Sequence, residues 1–223
     1  MEAIDSVSVY FSDSGEWSDS ALRDGFRYIR QTGLRAPGYF RKGEWVRAKM
    51  AEASPKVDLG DPIGLRRFSL FSMPELDELG GRLSDCDLLT YSYLAGFRNA
   101  AAAVTMAVLP LPERSGVGLL RNIFRRNRLA VAGFVVARVR GRCEGRAAEL
   151  GVRVVFEAGQ DYWMNGLVLA TTARMVAAGG RVKTGVHYLY DAVDPGALMA
   201  ELRQAGVQET ETFAAQPHSL NKP

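Results

Sequence analysis

Polar and aromatic residues occur together at two points of the sequence where a helix is expected to begin. Tyr93, Arg98 and Asn99 lie where a predicted strand passes into an alanine-rich helix, and Tyr162 and Asn165 lie near the start of a later helix. The amino end of a helix carries partial positive charge and favours anions. These side chains are therefore candidate substrate-binding residues for a small molecule that carries a carboxylate. The same mixture of residues is also typical of ordinary helix capping, so both interpretations stay open.

His187 is a further candidate for contact with a substrate. It lies in the apolar run from Gly185 to Leu189, where the sequence indicates a strand, and a lone histidine on a strand usually has a structural role. The two cysteines, Cys86 and Cys143, have no histidine nearby in the sequence, and no metal-ligand spacing is present. We therefore expect no metal and assign no catalytic acid, base or nucleophile.

The segment closest to a dinucleotide-binding loop contains Gly116 and Gly118. Arg121 stands where that motif needs a third glycine or an alanine, and Pro110 and Pro112 precede the segment where a strand should be. The sequence therefore predicts no cofactor-binding residue in this chain.

An arginine cluster is the one strong asymmetry of charge. Eight arginines fall between Arg121 and Arg146, where the single acid is Glu144, although the whole chain carries a net charge of only +3. Guanidinium groups can bind phosphates, but only Phe124 and Phe134 are interleaved as possible stacking partners for bases. We interpret the cluster as a solvated helix face and hairpin edge, and we do not expect nucleic-acid binding.

The elements that must position these residues follow from periodicity, caps and turns. Strands are predicted at 3–12, 67–71 and 88–94, hairpins at 38–47 and at 129–157, and helices at 18–28, 97–109, 162–178 and 195–205. The basic segment 118–127 is either a short helix or a loop. The helix at 162–178 is apolar on all sides, which is typical of a helix buried in a core. Without regular alternation of strands and helices, the pattern favours an α+β fold. We expect a mixed, largely antiparallel sheet with helices packed on one face, in a single domain over 1–212 with a flexible tail over 213–223.

Length and composition agree with one soluble domain in the cytoplasm. The chain has 223 residues, and 47% of them are hydrophobic. Its longest weakly polar run, residues 100–111, is too short for a membrane helix, which needs roughly 20 residues. Two cysteines and no signal-peptide pattern at the start favour a reducing compartment.

The order of several short segments resembles the C-terminal part of saccharopine dehydrogenase-like oxidoreductases. The likeness spans about residues 3–207, and its segments are 64–67, 71–76, 93–97, 134–141, 165–170, 185–187 and 194–202. The resemblance implies the substrate-binding and dimerisation domain of an enzyme that uses NAD or NADP. The nucleotide-binding domain of that family, which would hold the cofactor, has no counterpart in this sequence.

The resemblance also implies partners. They are a second copy in a homodimer, a small-molecule substrate and a separate nucleotide-binding domain, without which the chain is not expected to be active. An alternative hypothesis is a stand-alone binding or assembly module without catalytic activity.

Overall fold

The computed structural model describes residues 1–12, 17–32, 37–93, 102, 105–106, 108–127, 132–157, 159–179 and 185–215. The strands are β1 (Ala3–Ser12), β2 (Gly38–Arg41), β3 (Glu44–Arg47), β4 (Lys56–Asp58), β5 (Leu65–Leu70), β6 (Asp87–Tyr93), β7 (Ala132–Cys143), β8 (Arg146–Glu157) and β9 (Glu209–Ala215). The helices are α1 (Asp19–Thr32), α2 (Met50–Ala53), α3 (Pro74–Arg82), α4 (Glu113–Asn127), α5 (Asp161–Ala177), α6 (Leu189–Ala192) and α7 (Pro195–Gln204).

Seven of the nine described strands form a mixed sheet in the order β3-β2-β6-β1-β7-β8-β9, and β4 and β5 join it because β5 pairs with β6. β1 pairs with β6 in parallel, and the other described pairs are antiparallel. Two strands share one edge of β6: β2 pairs with its first residues and β5 pairs with its last residues. The predicted α+β class with a largely antiparallel sheet is confirmed.

Two-residue turns close the β2–β3 hairpin and the β7–β8 hairpin. Lys42 and Gly43 both have positive φ, at 49° and 85°, as a two-residue hairpin turn requires, and they confirm the predicted corner. Glu144 and Gly145 form a similar turn, with φ values of 52° and 70°. The two strands of the hairpin predicted at 129–157 therefore pair up to Cys143 and Arg146 on either side of this turn.

One face of the sheet, called the core face here, is buried beneath the β4–β5 hairpin. Tyr10, Phe134 and Val136 project from β1 and β7 on this face and are buried. The loop between β4 and β5 covers them with buried Leu59 and Ile63. A charged side chain of β8 also holds this loop against the sheet.

Arg153 on β8 fastens that loop to the sheet. Its guanidinium donates to the carbonyl oxygens of Leu59 at 3.1 Å and Asp61 at 2.8 Å. Hydrogen bonds from a charged donor are stronger than neutral ones, so this contact keeps the loop over the apolar residues.

α1 and α4 form a second core with each other. Leu22 and Phe26 of α1 pack with Leu120 and Ile123 of α4, and all four are buried. Gly116 permits the close approach, since a Cβ there would lie 2.1 Å from the Phe26 ring. The basic segment 118–127 is thus helical and belongs to α4, which already starts at Glu113.

α5 and α7 form a third core with Val154 of β8, which lies on the face opposite the core face. We call that opposite side the outer face. α7 begins as predicted, because the Asp194 carboxylate accepts a hydrogen bond of 2.7 Å from the amide of Ala197. β9 then extends the sheet to Ala215, three residues into the segment expected to be a flexible tail.

The prediction that the helix at 162–178 is buried is wrong. Among its described residues only Asp161 and Thr171 are buried, whereas Leu169 is 72% exposed and Val176 is 52% exposed. The apolar composition on all sides was interpreted as a sign of burial within the chain. One side of α5 does pack on α7 and Val154, but the other side faces outward.

Candidate functional site

The carboxyl ends of β1 and β6 lie at the same end of the sheet because the two strands are parallel neighbours. Ser12 ends β1 and Tyr93 ends β6 there. β8 runs antiparallel to β7, which is antiparallel to β1, so β8 also finishes at this end and α5 begins close after it. Ligands of open sheets commonly bind outside the carboxyl ends of parallel strands. This end of the sheet is the candidate site.

The start of α5 is joined to the start of α1 by a hydrogen bond. The backbone N–H of Ser18 donates to the Tyr162 hydroxyl oxygen at 2.8 Å. Ser18 also caps α1, since its hydroxyl accepts from the amide of Ala21 at 3.2 Å. A phenol that accepts through its oxygen still has an O–H group that can donate. Two helix amino ends and one phenol are thus held together beside the end of β1.

The other candidate residues differ in their positions relative to the hydrogen bond between Ser18 and Tyr162. Tyr93 is half-buried and packs edge-on against Phe68, with ring centroids 6.2 Å apart. Asn165 is exposed and lies one turn after Tyr162 on the same side of α5. Arg98 and Asn99 lie outside the described residues. Tyr93 lies on the core face, whereas α5 packs on the outer face against Val154. Tyr93 is therefore at the same end of the sheet as Tyr162 and Asn165 but on the opposite face.

His187 does not belong to this group. It is exposed and lies in a bend before α6, so the strand expected at 185–189 is wrong. The next elements of the chain lie against α3, where Arg82 forms an ion pair of 2.5 Å with Asp191 of α6. Arg82 ends α3, five residues before β6 begins, whereas Tyr93 lies at the far end of β6. A strand of this length spans about 20 Å.

Sequence reasoning noted Tyr91 beside Tyr93 but missed its packing against Tyr10 on the core face. The rings of Tyr10 and Tyr91 stack with centroids 5.0 Å apart, and the Tyr91 hydroxyl donates to the carbonyl oxygen of Glu52 at 3.2 Å. Burial raises the pKa of both phenols, and for Tyr10 a hydrogen bond from Ser8 and the nearby Arg138 partly oppose that rise. Both phenols therefore stay neutral at neutral pH and contribute packing and polarity without charge.

The described residues of the arginine cluster are divided among α4, β7 and the first residue of β8, and their charge is partly neutralised. Arg121 on α4 forms an ion pair of 2.5 Å with Asp19, and Arg140 on β7 forms one of 2.7 Å with Glu149. Arg138 also lies near Glu149, at 3.7 Å. These contacts agree with the interpretation of the cluster as separate solvated surfaces.

The segment that most resembles a nucleotide loop has another role. Gly116 and Gly118 lie inside α4, and Gly116 is the contact point for Phe26 of α1. The residues present therefore do not fit a phosphate-binding loop, and no step of a reaction is derived through a nucleotide at this position. Within the described part of the chain, no group of His, Cys, Asp and Glu side chains could hold a metal ion.

None of the helices in the described ranges has the length and apolar content needed to span a bilayer. Comparisons of the chain with protein-family models and with curated proteins give no match.

Proposed function

We propose that the chain is the substrate-binding and dimerisation domain of an NAD(P)-dependent oxidoreductase similar to saccharopine dehydrogenases. The observation that carries the proposal is the hydrogen bond from Ser18 to Tyr162, which joins the amino ends of α1 and α5 at the end of the sheet where the parallel strands β1 and β6 finish. Asn165 lies one turn after Tyr162, and Tyr93 lies at the same end of the sheet on the core face.

The expected ligand is a small molecule with a carboxylate. The Tyr162 O–H can donate to a carboxylate oxygen while its own oxygen accepts from Ser18, and the amino ends of α1 and α5 favour negative charge at the same place. Arg98 and Asn99 follow β6 in the sequence and would add charge and amide donors. These groups bind and orient a substrate, and the hydride chemistry would come from NAD or NADP.

The nucleotide belongs to another polypeptide or domain in this proposal, because Gly116 and Gly118 lie inside α4 and Gly116 makes the contact with Phe26 of α1. Isothermal titration calorimetry of the 223-residue chain with NADH and NADPH should give no micromolar binding. Micromolar affinity for either nucleotide would contradict the proposal that another polypeptide or domain binds the cofactor. Both cysteines are free thiols, which supports a reducing compartment such as the cytoplasm.

Substrate binding is tested by nuclear magnetic resonance with L-glutamate as the carboxylate probe. We expect amide shifts at Ser18, Tyr93 and Asn165, and weaker binding in the Tyr162→Phe and Arg98→Ala variants. Tyr188→Phe is a matched control, since that phenol lies beside α3 and not at the candidate site. Shifts confined to other surfaces, or equal affinity in all variants, would overturn the assignment.

A second candidate function is a binding or assembly module without catalytic activity. The outward apolar side of α5 favours it, because exposed apolar surface of this extent is typical of interaction sites. A nucleotide-binding polypeptide encoded beside this chain would discriminate the two candidates. If the mixture of the two polypeptides oxidises NAD(P)H with a carboxylate substrate and neither one does so alone, the oxidoreductase proposal is supported. A mixture that forms a complex yet stays inactive supports the module.

A further inference from the structure

Two apolar surfaces of this chain are left uncovered, one on the sheet and one on α5. Most of the buried hydrophobic residues that the structure describes lie in three separate small cores.

The first surface is a strip on the outer face of the sheet. It consists of valines and one alanine from three adjacent strands, namely Val7 and Val9 of β1, Val135, Ala137 and Val139 of β7, and Val152 of β8. None of the six is buried, and Val135 is 45% exposed. On the core face of the same strands, Tyr10, Phe134 and Val136 are all buried. The six residues lack the cover that the core face receives from the β4–β5 hairpin, although five of them are half-buried and only Val135 is exposed. Phe11 of β1 lies on the same face opposite Val135 and packs edge-on against Phe71, with ring centroids 5.8 Å apart.

The second surface is the outward side of α5. Its residues recur at helical spacing, so they form one continuous face, and they are Gly166, Leu169, Ala173 and Val176. All four are exposed and none is charged. Arg174 lies nearby but is engaged in an ion pair with Glu201 of α7. The helix face is thus apolar and has alternating large and small side chains.

The two surfaces lie next to each other on one molecule. Val135 of the strip is opposite Val154 in the β7–β8 register, and Val154 packs into the cluster beneath α5. A two-fold axis between two copies can therefore place α5 of each copy on the strip of the other. The two α5 helices would then lie side by side in one layer between two sheets.

We infer that the dimer forms by this reciprocal contact, in which the outward face of α5 covers the valine strip of a second copy. The inference rests on the homodimer in the proposed function and specifies its interface. A second copy is the fitting occupant because it supplies both an apolar helix and an apolar strip in the required arrangement, with no charge on either surface.

The size of the contact is suitable for a stable dimer. A 17-residue helix is about 25 Å long and 10 Å wide, and the strip covers a similar plan area of about 250 Å² on three strands. Each copy thus contributes roughly 500 Å² in plan, and the accessible area of side chains exceeds their plan. Stable interfaces bury about 800 Å² per partner.

The test compares single substitutions by sedimentation equilibrium and light scattering on the full chain. Wild type should be a dimer, and Leu169→Glu and Val135→Glu should each raise the dimer dissociation constant roughly a hundredfold or more, because every substitution occurs twice per dimer. Leu65→Glu is the matched control, since Leu65 is 58% exposed on the β4–β5 hairpin and lies outside both surfaces. Far-ultraviolet circular dichroism and the thermal midpoint confirm that each variant is folded.

The outcomes separate this inference from the proposed function. A monomeric wild type overturns both the interface and the homodimer. A dimeric wild type that Val135→Glu leaves unchanged overturns the interface alone, and the dimer then uses another surface.

A cross-linking experiment distinguishes the reciprocal contact from direct pairing of two α5 helices. In a background with Cys86→Ser and Cys143→Ser, Leu169→Cys and Val135→Cys single variants are mixed and oxidised. A disulfide-linked heterodimer supports the contact of α5 with the strip. Efficient self-linking of Leu169→Cys alone, with no heterodimer, overturns it in favour of helix pairing.

Discussion

The two glycines of α4 allow a paired test of the helix contact that replaces a nucleotide loop. A Cβ at Gly116 would meet three atoms of the Phe26 ring at 2.1, 2.4 and 2.5 Å, whereas a Cβ at Gly118 meets nothing within 4 Å. Replacing glycine by alanine in a helix stabilises it by about 1 kcal/mol. Overpacking a core costs about 1–3 kcal/mol. Gly118→Ala should therefore stabilise the protein by about 1 kcal/mol, and Gly116→Ala should be neutral or destabilising by up to about 2 kcal/mol.

Urea unfolding followed by circular dichroism measures the difference in the free energy of unfolding between the two variants. In thermal unfolding, a protein of this size shifts by about 2–4 °C for each kcal/mol. Phe26→Leu in the Gly116→Ala background should recover part of the loss, because the smaller side chain makes room for the methyl group. Equal stabilisation by Gly116→Ala and Gly118→Ala would refute the helix contact and reopen a loop interpretation of the segment.

Three further predictions concern a cap, a thiol and two phenols. Asp194→Ala should lower the free energy of unfolding by about 1 kcal/mol through loss of the bond to the Ala197 amide, and an unchanged urea midpoint would argue against that cap. In the folded protein a thiol reagent should modify Cys143 before Cys86, because burial raises the pKa of the Cys86 thiol; mass spectrometry giving equal rates would contradict this order. Burial also raises the pKa of Tyr10 and Tyr91 above the ordinary 10.0, so stability that is fully present below pH 10 should fall above it, because the unfolded phenols ionise first. In a pH titration, the tyrosinate absorbance of these two residues should rise only as the protein unfolds. If every phenol of the folded protein ionises with the ordinary pKa of tyrosine, the two phenols are not buried.

Structural features that depend on residues close together in the sequence were predicted correctly. The turn at Lys42 and the cap at Asp194 depend on neighbours in sequence, and the structure has both. β9 was missed because its charged and hydroxyl residues, such as Glu209 and Thr210, suit an edge strand whose partner is not visible in the sequence. The stacking of Tyr10 on Tyr91 requires the parallel pairing of two distant segments, which periodicity cannot assign.

Contacts between distant segments, and the exposure of apolar residues, could not be predicted from the sequence for the candidate site and the surface. Tyr162 was placed at a helix start by its local pattern, but its bond to Ser18 depends on how α1 and α5 are brought together. The exposure of Leu169 could not be predicted, because hydropathy does not distinguish burial within one chain from burial between chains. His187 was misplaced for a related reason, since an apolar run alone does not establish a strand.

The first strand of the chain occupies the middle of the sheet, between β6 and β7, and this position constrains the order of folding. β1 ends at Ser12, whereas its antiparallel partner β7 ends at Cys143, about 130 residues later. At 5–20 residues per second, a ribosome needs roughly 7–26 s to supply that partner. The parallel partner β6 ends at Tyr93 and is therefore complete before β7, but pairings over such separations form slowly. Assembly of the middle of the sheet is therefore a late event in synthesis, because β1 has both neighbours only after β7 has emerged.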